Sequence, residues 1–206
     1  SKTDDEKLKQ KCLGKTAVVQ SVEQKQKTEK PPKLYDLTTL QREANKIYGY
    51  TAQQTLEYLQ SLYEKKLATY PRTDSNYITE DMKNSITELI DIITKKINIE
   101  VMAQNIEAIT NNSKVSDHHA LLPTKSIQTA NLSELPAGER NILKLLLYRL
   151  LIAVGEVYCY AETSVLLECE KTIFKAKAKN ILQKGWKDVV EAFQKTLREK
   201  TKKESK

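Results

Sequence analysis

The stretch that decides the fold is the apolar run in the second half of the chain, Asn141-Ile-Leu-Lys-Leu-Leu-Leu-Tyr-Arg-Leu-Leu-Ile-Ala-Val154. Apolar side chains would occupy almost every side of a helix built from these residues, so we predict a helix buried in a core. Its most apolar part, Leu145 to Val154, contains Arg149 and is far shorter than the ~20 residues that span a bilayer. We therefore expect no membrane contact.

Downstream of this helix the sequence changes to a strand pattern. Residues 163–169 and 172–178 are rich in β-branched and aliphatic side chains, and the second stretch alternates between two kinds of side chain. This pattern predicts the two strands of a hairpin. The amphipathic stretch from Asp188 to Leu197 predicts a closing helix.

Upstream of the apolar run, several stretches carry helix signals. Thr38/Gln41 and Thr51/Gln54 have the spacing of capping boxes, and Gly49 suits the end of the first of these helices. A third helix is predicted near Glu80, where acidic residues suit an N-terminus, and residues 98–112 predict a further short helix before a loop at 111–113. The predicted apolar faces are Leu40, Ala44 and Ile47; Leu56, Leu59 and Tyr63; and Ile86, Leu89, Ile90, Ile93 and Ile97.

The first part of the chain is polar and charged. Residues 1–10 are expected to be loose, whereas the β-branched stretch from Lys15 to Gln24 predicts a strand. The polar run from Gln24 to Lys30 either extends this strand or forms a loop before the two prolines that follow.

The order of these elements predicts an α+β fold with two domains. The simplest arrangement is a helical domain, residues 36–125, inserted into a β-containing domain built from residues 1–35 and 126–206. No internal repeat is visible in the sequence.

Composition limits the class of protein. The 206 residues are 39% apolar and 30% charged, which is typical of a globular chain, and the formal net charge is +7. Such an excess suits nucleic acid or another acidic surface, but many basic proteins bind neither. Part of the excess lies in the tail at 200–206, which we expect to be a solvated, fraying end.

The three cysteines, Cys12, Cys159 and Cys169, form no C-x-x-C pair and are odd in number. This favours reduced thiols in a cytoplasmic protein over a disulfide framework.

The segment Ala68-Thr-Tyr-Pro-Arg-Thr-Asp-Ser75 is the first candidate for chemistry. Pro71 disfavours helical angles at Tyr70, and in an extended segment Tyr70 and Arg72 would face the same side. A guanidinium beside a phenol suits attack on a phosphodiester, because it binds phosphate oxygens and favours the phenolate. Standing alone, however, a tyrosine near an arginine is usually a packing or cation–π contact.

The second candidate is Asp117-His-His-Ala-Leu-Leu-Pro-Thr124, which holds both histidines of the chain. A histidine here could bind a phosphate or protonate a leaving 3′-oxygen. A surface turn before Pro123 explains the same pattern. We predict no metal site, because adjacent side chains diverge and no third ligand lies at a suitable spacing.

Taken together, these motifs resemble type IA DNA topoisomerases. The resemblance rests on five motifs that occur in the family's order, and it extends over about residues 14 to 186. They are Leu34 to Ala44, Gly49 to Leu56, Leu62 to Glu64, Thr69 to Ser75 and Asp117 to Thr124. Proline after the tyrosine and the double histidine are more similar to the topoisomerase III branch than to the topoisomerase I branch.

The resemblance implies an ATP-independent isomerase that acts on single-stranded or underwound DNA. Its tyrosine, Tyr70 by position, cleaves one strand through a 5′-phosphotyrosine link, a strand passes, and the break is resealed. Arg72 matches the residue that positions the tyrosine and the scissile phosphate. His118 matches the family's active-site histidine near that phosphate, and His119 is a possible DNA contact. The implied fold is the arch of the enzyme, with a helical domain carried by a β-rich arch or hinge domain.

The family also has a Toprim domain, whose glutamate and Asp-x-Asp acids bind Mg²⁺, and this chain contains no Asp-x-Asp. We therefore expect a central fragment that binds no Mg²⁺ itself, works with the remaining topoisomerase domains and does not relax DNA alone. Its expected location is cytoplasmic, on a bacterial nucleoid or plasmid.

Two other enzyme classes fit poorly. Tyrosine recombinases need His-x-x-Arg, but Leu121 and Leu122 stand three residues after the histidines. Relaxase nucleases need His-hydrophobic-His, whereas these histidines are adjacent.

A non-catalytic DNA-binding or hinge module remains the alternative. The basic side chains that could contact phosphates are Lys33, Arg42, Lys46, Lys65 and Lys66. They could equally be solvated helix faces.

Overall fold

The computed structural model describes residues 2–100 and 104–204. In these ranges the α-helices are α1 (Lys2–Cys12), α2 (Leu37–Tyr48), α3 (Ala52–Glu64), α4 (Lys83–Ile97), α5 (Ala137–Ala153) and α6 (Lys187–Glu204), and the strands are β1 (Val18–Glu29), β2 (Tyr158–Cys169) and β3 (Thr172–Gln183). Short 3₁₀ helices lie at Glu80–Met82, Ile106–Ile109, Asn112–Lys114, Lys125–Gln128 and Leu132–Glu134. The α+β class predicted from the sequence is confirmed. No helix in the described ranges is long and apolar enough to cross a membrane.

The chain divides into two compact units. The sheet unit consists of the chain up to Glu29 and of Tyr158–Lys184, and the helical unit consists of Lys30–Val157 and the chain from Gly185 onward. These boundaries differ from the predicted domains because α5 and α6 pack on the helical core, where Leu146, Leu150 and Phe193 are buried. The insertion of a helical domain into an arch domain stays a prediction.

The sheet unit is an antiparallel sheet in the order β1-β2-β3. Val22 lies opposite Val165, which lies opposite Ala176, and a bulge between Val19 and Ser21 shifts the register of β1. The polar run after Gln24 therefore extends the strand rather than forming a loop. The predicted hairpin is also present, and its two strands are each longer than predicted.

The helical unit is built around α5, which is buried along nearly its whole length. Gly138 allows the ring of Tyr58 on α3 to pack directly against α5, because a Cβ atom there would lie 2.4 Å from Cζ of Tyr58. The capping box predicted at Thr51 and Gln54 is present at the start of α3. Helix α2 starts earlier than the predicted Thr38 box: Asp36 caps it by accepting a hydrogen bond from the Thr39 N–H at 2.6 Å.

Two local predictions are wrong. Residues 2–12 are helical rather than loose, because Asp4 and Asp5 at the first turn and Lys9 and Lys11 at the last complement the helix dipole. The helix predicted over 98–112 is also not formed in the described part of that stretch. Helix α4 ends at Asn98 in a left-handed conformation, and short 3₁₀ turns follow from Ile106. Residues 101–103 of this prediction lie outside the described residues.

The backbone leaves and re-enters the helical unit at one crossing. The Trp186 N–H donates to the carbonyl of Glu156 at 2.9 Å, and Gly185 has φ of 50°. A Cβ atom on Gly185 would lie 2.4 Å from the carbonyl oxygens of Glu156 and Val157. Only glycine fits this close approach of two backbone segments.

Candidate active site

The end of α3 sets the direction of the chain that leads to Tyr70. Lys66 is left-handed, with φ of 59°. The Leu67 N–H donates to the carbonyl of Leu62 at 2.8 Å, and the Lys66 N–H donates to the carbonyl of Tyr63 at 2.8 Å. This is a Schellman motif with lysine in the position where glycine is usual. Since Leu62 and Leu67 are both buried, the motif fixes the chain against the core.

Residues 67–78, the tyrosine segment, run beside residues 114–124, the histidine segment. The Thr69 N–H donates to the carbonyl of Leu122, and the Thr69 hydroxyl accepts from the Leu122 N–H, both at 2.9 Å. The Thr124 N–H donates to the carbonyl of Leu67 at 3.1 Å. These bonds satisfy the backbone of two irregular segments without a regular sheet.

A buried hydroxyl joins the two segments beyond the tyrosine. The Thr73 hydroxyl donates to the carbonyl of His118 at 3.1 Å and accepts from the Ser75 N–H at 3.1 Å. The Thr73 carbonyl in turn accepts from the Leu37 N–H at the start of α2. The position of the His118 backbone is therefore tied to a residue three positions after Tyr70.

Tyr70 and His118 are neighbours in space. Their ring centroids lie 4.4 Å apart with an interplanar angle of 36°. Tyr63 approaches Tyr70 edge-on from the end of α3, at 5.6 Å and 83°. Tyr63 was predicted on the apolar face of α3, but it is 40% exposed and contacts Tyr70 instead of the core. Tyr70 is half-buried and His118 is exposed, so a ligand from solvent can reach both rings.

Arg72 makes no cation–π contact with the Tyr70 ring in the structure. Its side chain is exposed, and it makes no hydrogen bond or ion pair with any described residue. Pro71, between the two residues, is buried. Arg72 thus offers an uncommitted guanidinium on the same segment.

The two histidines have different surroundings. The ring of His119 is half-buried, and its Nδ1 lies 2.8 Å from the carbonyl oxygen of Ala120. If Nδ1 carries the proton, it donates to that carbonyl and fixes the ring. His118 has no such bond among the described residues, so it is the histidine that can turn toward a ligand.

A partly buried ion pair is connected to the histidine segment through Tyr35. The guanidinium of Arg149 pairs with the carboxylate of Glu43 and lies 4.1 Å from the ring centroid of Tyr35. The Tyr35 carbonyl accepts from the Leu121 N–H at 2.8 Å. Burial raises the pKa of the Tyr35 phenol well above its usual value, although the nearby Arg149 opposes this. In the sequence, the only sign of this ion pair is that Arg149 interrupts the apolar run.

A comparison with models of protein families shows which family this chain belongs to. The family model described as DNA topoisomerase matches residues 1–206. The chain belongs to the DNA topoisomerase family.

Its relatives place it in the type IA class and on the branch predicted from the sequence. It is 38% identical over 183 residues to DNA topoisomerase 3 of Bacillus cereus, covering 85% of this chain and 25% of the relative. It is 36% identical over 191 residues to DNA topoisomerase 3 of Bacillus subtilis, covering 89% and 26%. This topoisomerase chain thus spans about a quarter of the length of these relatives.

A solved structure supports the same relationship. Full-length topoisomerase I of Thermotoga maritima is 25% identical and has a TM-score of 0.68, covering 89% of this chain and 31% of that one. The resemblance to type IA topoisomerases inferred from the motifs is therefore confirmed.

The basic residues predicted as possible DNA contacts in this topoisomerase chain lie in four settings. Lys65 pairs with the buried carboxylate of Glu139 at 2.5 Å, so its charge is compensated. Arg42 and Lys46 are exposed on α2, beside a groove of about 520 Å³ toward α6. Lys66 is exposed on the Schellman turn, and Lys33 is exposed next to Tyr77.

The described acids do not form a metal site. No three histidine, cysteine, aspartate or glutamate side chains in the described ranges are arranged to hold an ion. Asp74 and Asp117, on the two segments, are both exposed and belong to no such group. The described residues therefore do not fit the Mg²⁺ site that the resemblance implies for the family.

Proposed function

We propose that this chain is the part of a type IA DNA topoisomerase that carries the nucleophile, and that the nucleophile is Tyr70. The observation that carries the proposal is the contact between the Tyr70 ring and the His118 ring at 4.4 Å. It brings together the two motifs most specific to the family resemblance, which lie 48 residues apart in the sequence.

In the proposed reaction the Tyr70 oxygen attacks a backbone phosphorus of one DNA strand. A bond forms between this oxygen and phosphorus, and the bond between phosphorus and the 3′-oxygen breaks. The phenol loses its proton, the 3′-oxygen gains one, and the products are a 5′-phosphotyrosine and a free 3′-hydroxyl. The reverse transfer reseals the strand, and no ATP is needed because the phosphotyrosine conserves the phosphodiester bond energy.

Arg72 and His118 have separate roles in this proposal. The guanidinium of Arg72, uncommitted in the structure, binds the non-bridging phosphate oxygens and stabilises the charge that builds on them. His118, exposed beside the Tyr70 ring, donates a proton or a hydrogen bond at the phosphate or at the leaving 3′-oxygen. Tyr63 limits the rotation of the Tyr70 ring by packing edge-on against it.

Strand passage and metal binding belong, in our proposal, to the whole enzyme. Mg²⁺ would be held by acids of the remaining topoisomerase domains, and no step through it is assigned to this chain. We expect the chain alone to be inactive in relaxing negatively supercoiled plasmid. Its substrate in the intact enzyme is single-stranded or underwound DNA in the cytoplasm.

The test is trapping of the covalent intermediate in the intact enzyme. A single-stranded oligonucleotide labelled at its 3′ end is incubated with the enzyme, and the protein–DNA adduct is resolved after denaturation. The enzyme with Tyr70 should form the adduct, and Tyr70→Phe should form none, because phenylalanine has no oxygen to attack phosphorus.

Tyr63→Phe is the matched control, since it removes a hydroxyl from the neighbouring ring and keeps the edge contact. It should retain the adduct. Equal adduct from Tyr70→Phe and the unsubstituted enzyme would refute the assignment and leave the non-catalytic DNA-binding or hinge module as the better description.

A further inference from the structure

Beyond the Tyr70 region, two ammonium groups converge on one tyrosine. Nζ of Lys33 lies 4.8 Å, and Nζ of Lys114 lies 5.2 Å, from the ring centroid of Tyr77. Hydrogen bonding from Lys33, with its positive charge and that of Lys114, lowers the pKa of the Tyr77 phenol. Lys33, Tyr77 and Lys114 together are called the two-lysine cluster.

The backbone of this cluster is held in place. The Tyr77 carbonyl accepts from the Ala120 N–H at 2.9 Å, and the Tyr77 N–H donates to the Ser75 hydroxyl at 3.2 Å. The same hydroxyl donates to the carbonyl of Lys114 at 2.8 Å. Tyr77 and Lys114 are thus fixed to each other through Ser75, and Lys33 joins them from the segment before the buried Leu34.

The positive charge of the cluster is not neutralised within the described chain. No carboxylate of a described residue lies within 4.0 Å of Nζ of Lys33 or Lys114. By contrast, Lys65, Lys83 and Lys125 each pair with a glutamate. Two like charges held near one ring repel each other, and an anion between them would relieve that repulsion.

We propose that the two-lysine cluster binds a backbone phosphate of the DNA strand on which Tyr70 acts. Both ammonium groups are compact positive charges that donate hydrogen bonds, which suits the anionic oxygens of a phosphodiester. Tyr77 lies seven residues after Tyr70 on the same segment, so the cluster is at most about 25 Å from the nucleophile. This proposal rests on the proposed function, since it places a second contact of the same strand.

The test measures binding of the unsubstituted chain and its variants to a fluorescent oligothymidylate by anisotropy over a range of salt concentrations. Lys33→Ala and Lys114→Ala should each weaken binding about 3- to 10-fold at about 50 mM salt. Each should also reduce the slope of log affinity against log salt by about 0.7, the value for one phosphate contact to a single strand. An oligomer of abasic sites with the same number of phosphates should show the same losses, because the phosphate is the group bound.

Two variants test whether binding depends on the arrangement of the cluster or only on the total positive charge of the chain. Lys95→Ala removes an exposed, unpaired lysine on α4 and should change affinity less than about 2-fold. Tyr77→Leu leaves the net charge unchanged but removes the ring that holds both ammonium groups, and should still weaken binding. Circular dichroism must show that each variant is folded, and a variant that fails is replaced by Lys33→Gln or Lys114→Gln.

The proposal is overturned if the cluster variants lose no more affinity than Lys95→Ala, or if the unsubstituted chain does not bind at about 50 mM salt. Failure here is distinct from failure of the proposed function. Adduct formation that depends on Tyr70, with no effect of the cluster on binding, would leave Tyr70 as the nucleophile and remove only the second contact.

Discussion

The tyrosine segment and strand β3 show opposite combinations of backbone regularity and burial. The tyrosine segment has no regular secondary structure over most of its length, yet Leu67, Pro71, Thr73 and Ile78 in it are buried. Strand β3 is a regular strand of 12 residues, and its side chains are nearly all exposed in the described structure. Ile173, at its start, is 58% exposed.

This difference shows that burial, and not regular secondary structure, holds the tyrosine segment and its candidate site residues in place. In the tyrosine segment the hydrogen bonds come from hydroxyls and from the adjacent histidine segment, and the core lies beneath them. In the sheet the backbone pairing runs along the strands with one irregularity in each pair, but the side chains of β3 are nearly all exposed. An irregular segment can therefore be the more rigidly specified of the two.

The largest expected effect is a loss of stability, tested by replacing one isoleucine with alanine in each of the two regions. Ile78→Ala should lower the free energy of unfolding by about 3 kcal/mol, because the side chain is fully buried and its removal leaves a cavity. Ile173→Ala should lower it by less than about 0.5 kcal/mol, since that side chain is mostly exposed. Urea unfolding followed by tyrosine fluorescence measures both changes. Equal losses would contradict the comparison.

Local sequence patterns were sufficient to predict several helices. The capping box of α3 and the glycine end of α2 were predicted, because these motifs depend on residues three to four apart. Helix α1 was missed, since a short charged segment has no apolar stripe to reveal it. The helix predicted near 98–112 failed because capping by Asn105 and the left-handed Asn98 favour short turns.

The candidate site was predicted in its residues but not in its contacts. Tyr70 and His118 were named from family motifs, and their roles stay predictions. Their contact depends on pairing between segments about 50 residues apart, which no periodicity encodes. Likewise, the partner of Arg149 is Glu43, 106 residues away, and that of Lys65 is Glu139, 74 residues away.

A second, intermediate effect concerns alkaline pH. The folded-state pKa of Tyr35 is raised by burial, so the neutral phenol contributes stability that is fully present below the unfolded pKa of about 10. That contribution is lost as pH rises through the folded pKa. Between pH 10 and pH 11 we expect a loss of up to about 1.4 kcal/mol from Tyr35.

The measurement is urea unfolding at several pH values from about 9 to 11. Tyr35→Phe should flatten the alkaline decline, because phenylalanine does not ionise. The sheet provides the opposite case: a hydrogen bond from Lys27 lowers the pKa of Glu162, so its exposed pair loses its small contribution as pH falls. Glu162→Gln should change the alkaline decline much less than Tyr35→Phe, because the hydrogen bond to Glu162 that raises the pKa of Lys27 belongs to an exposed pair. An identical flattening in both variants would be against burial of Tyr35 as its cause.

The smallest expected effect comes from removing the hydroxyl group of Thr73. Thr73→Val keeps the shape of the side chain but removes the bond to the His118 carbonyl and the acceptor of the Ser75 N–H. We expect a loss of about 1 kcal/mol in unfolding free energy. Thr163→Val, on β2, should be nearly neutral, since no hydrogen bond of its side chain is present among the described residues. A neutral Thr73→Val would show that the two segments are joined by packing alone.

The crossing at Gly185 makes the excursion through β2 and β3 separable from the helical unit. The chain departs after Val157 and returns at Gly185, where the two backbones already touch. Changing the length of a loop whose ends are held together costs little entropy, because each doubling adds only about 0.6 kcal/mol. A longer turn between β2 and β3 should therefore leave the backbone contact at Gly185 in place. Gly185 thus brings both ends of the excursion through β2 and β3 to one point of the helical unit.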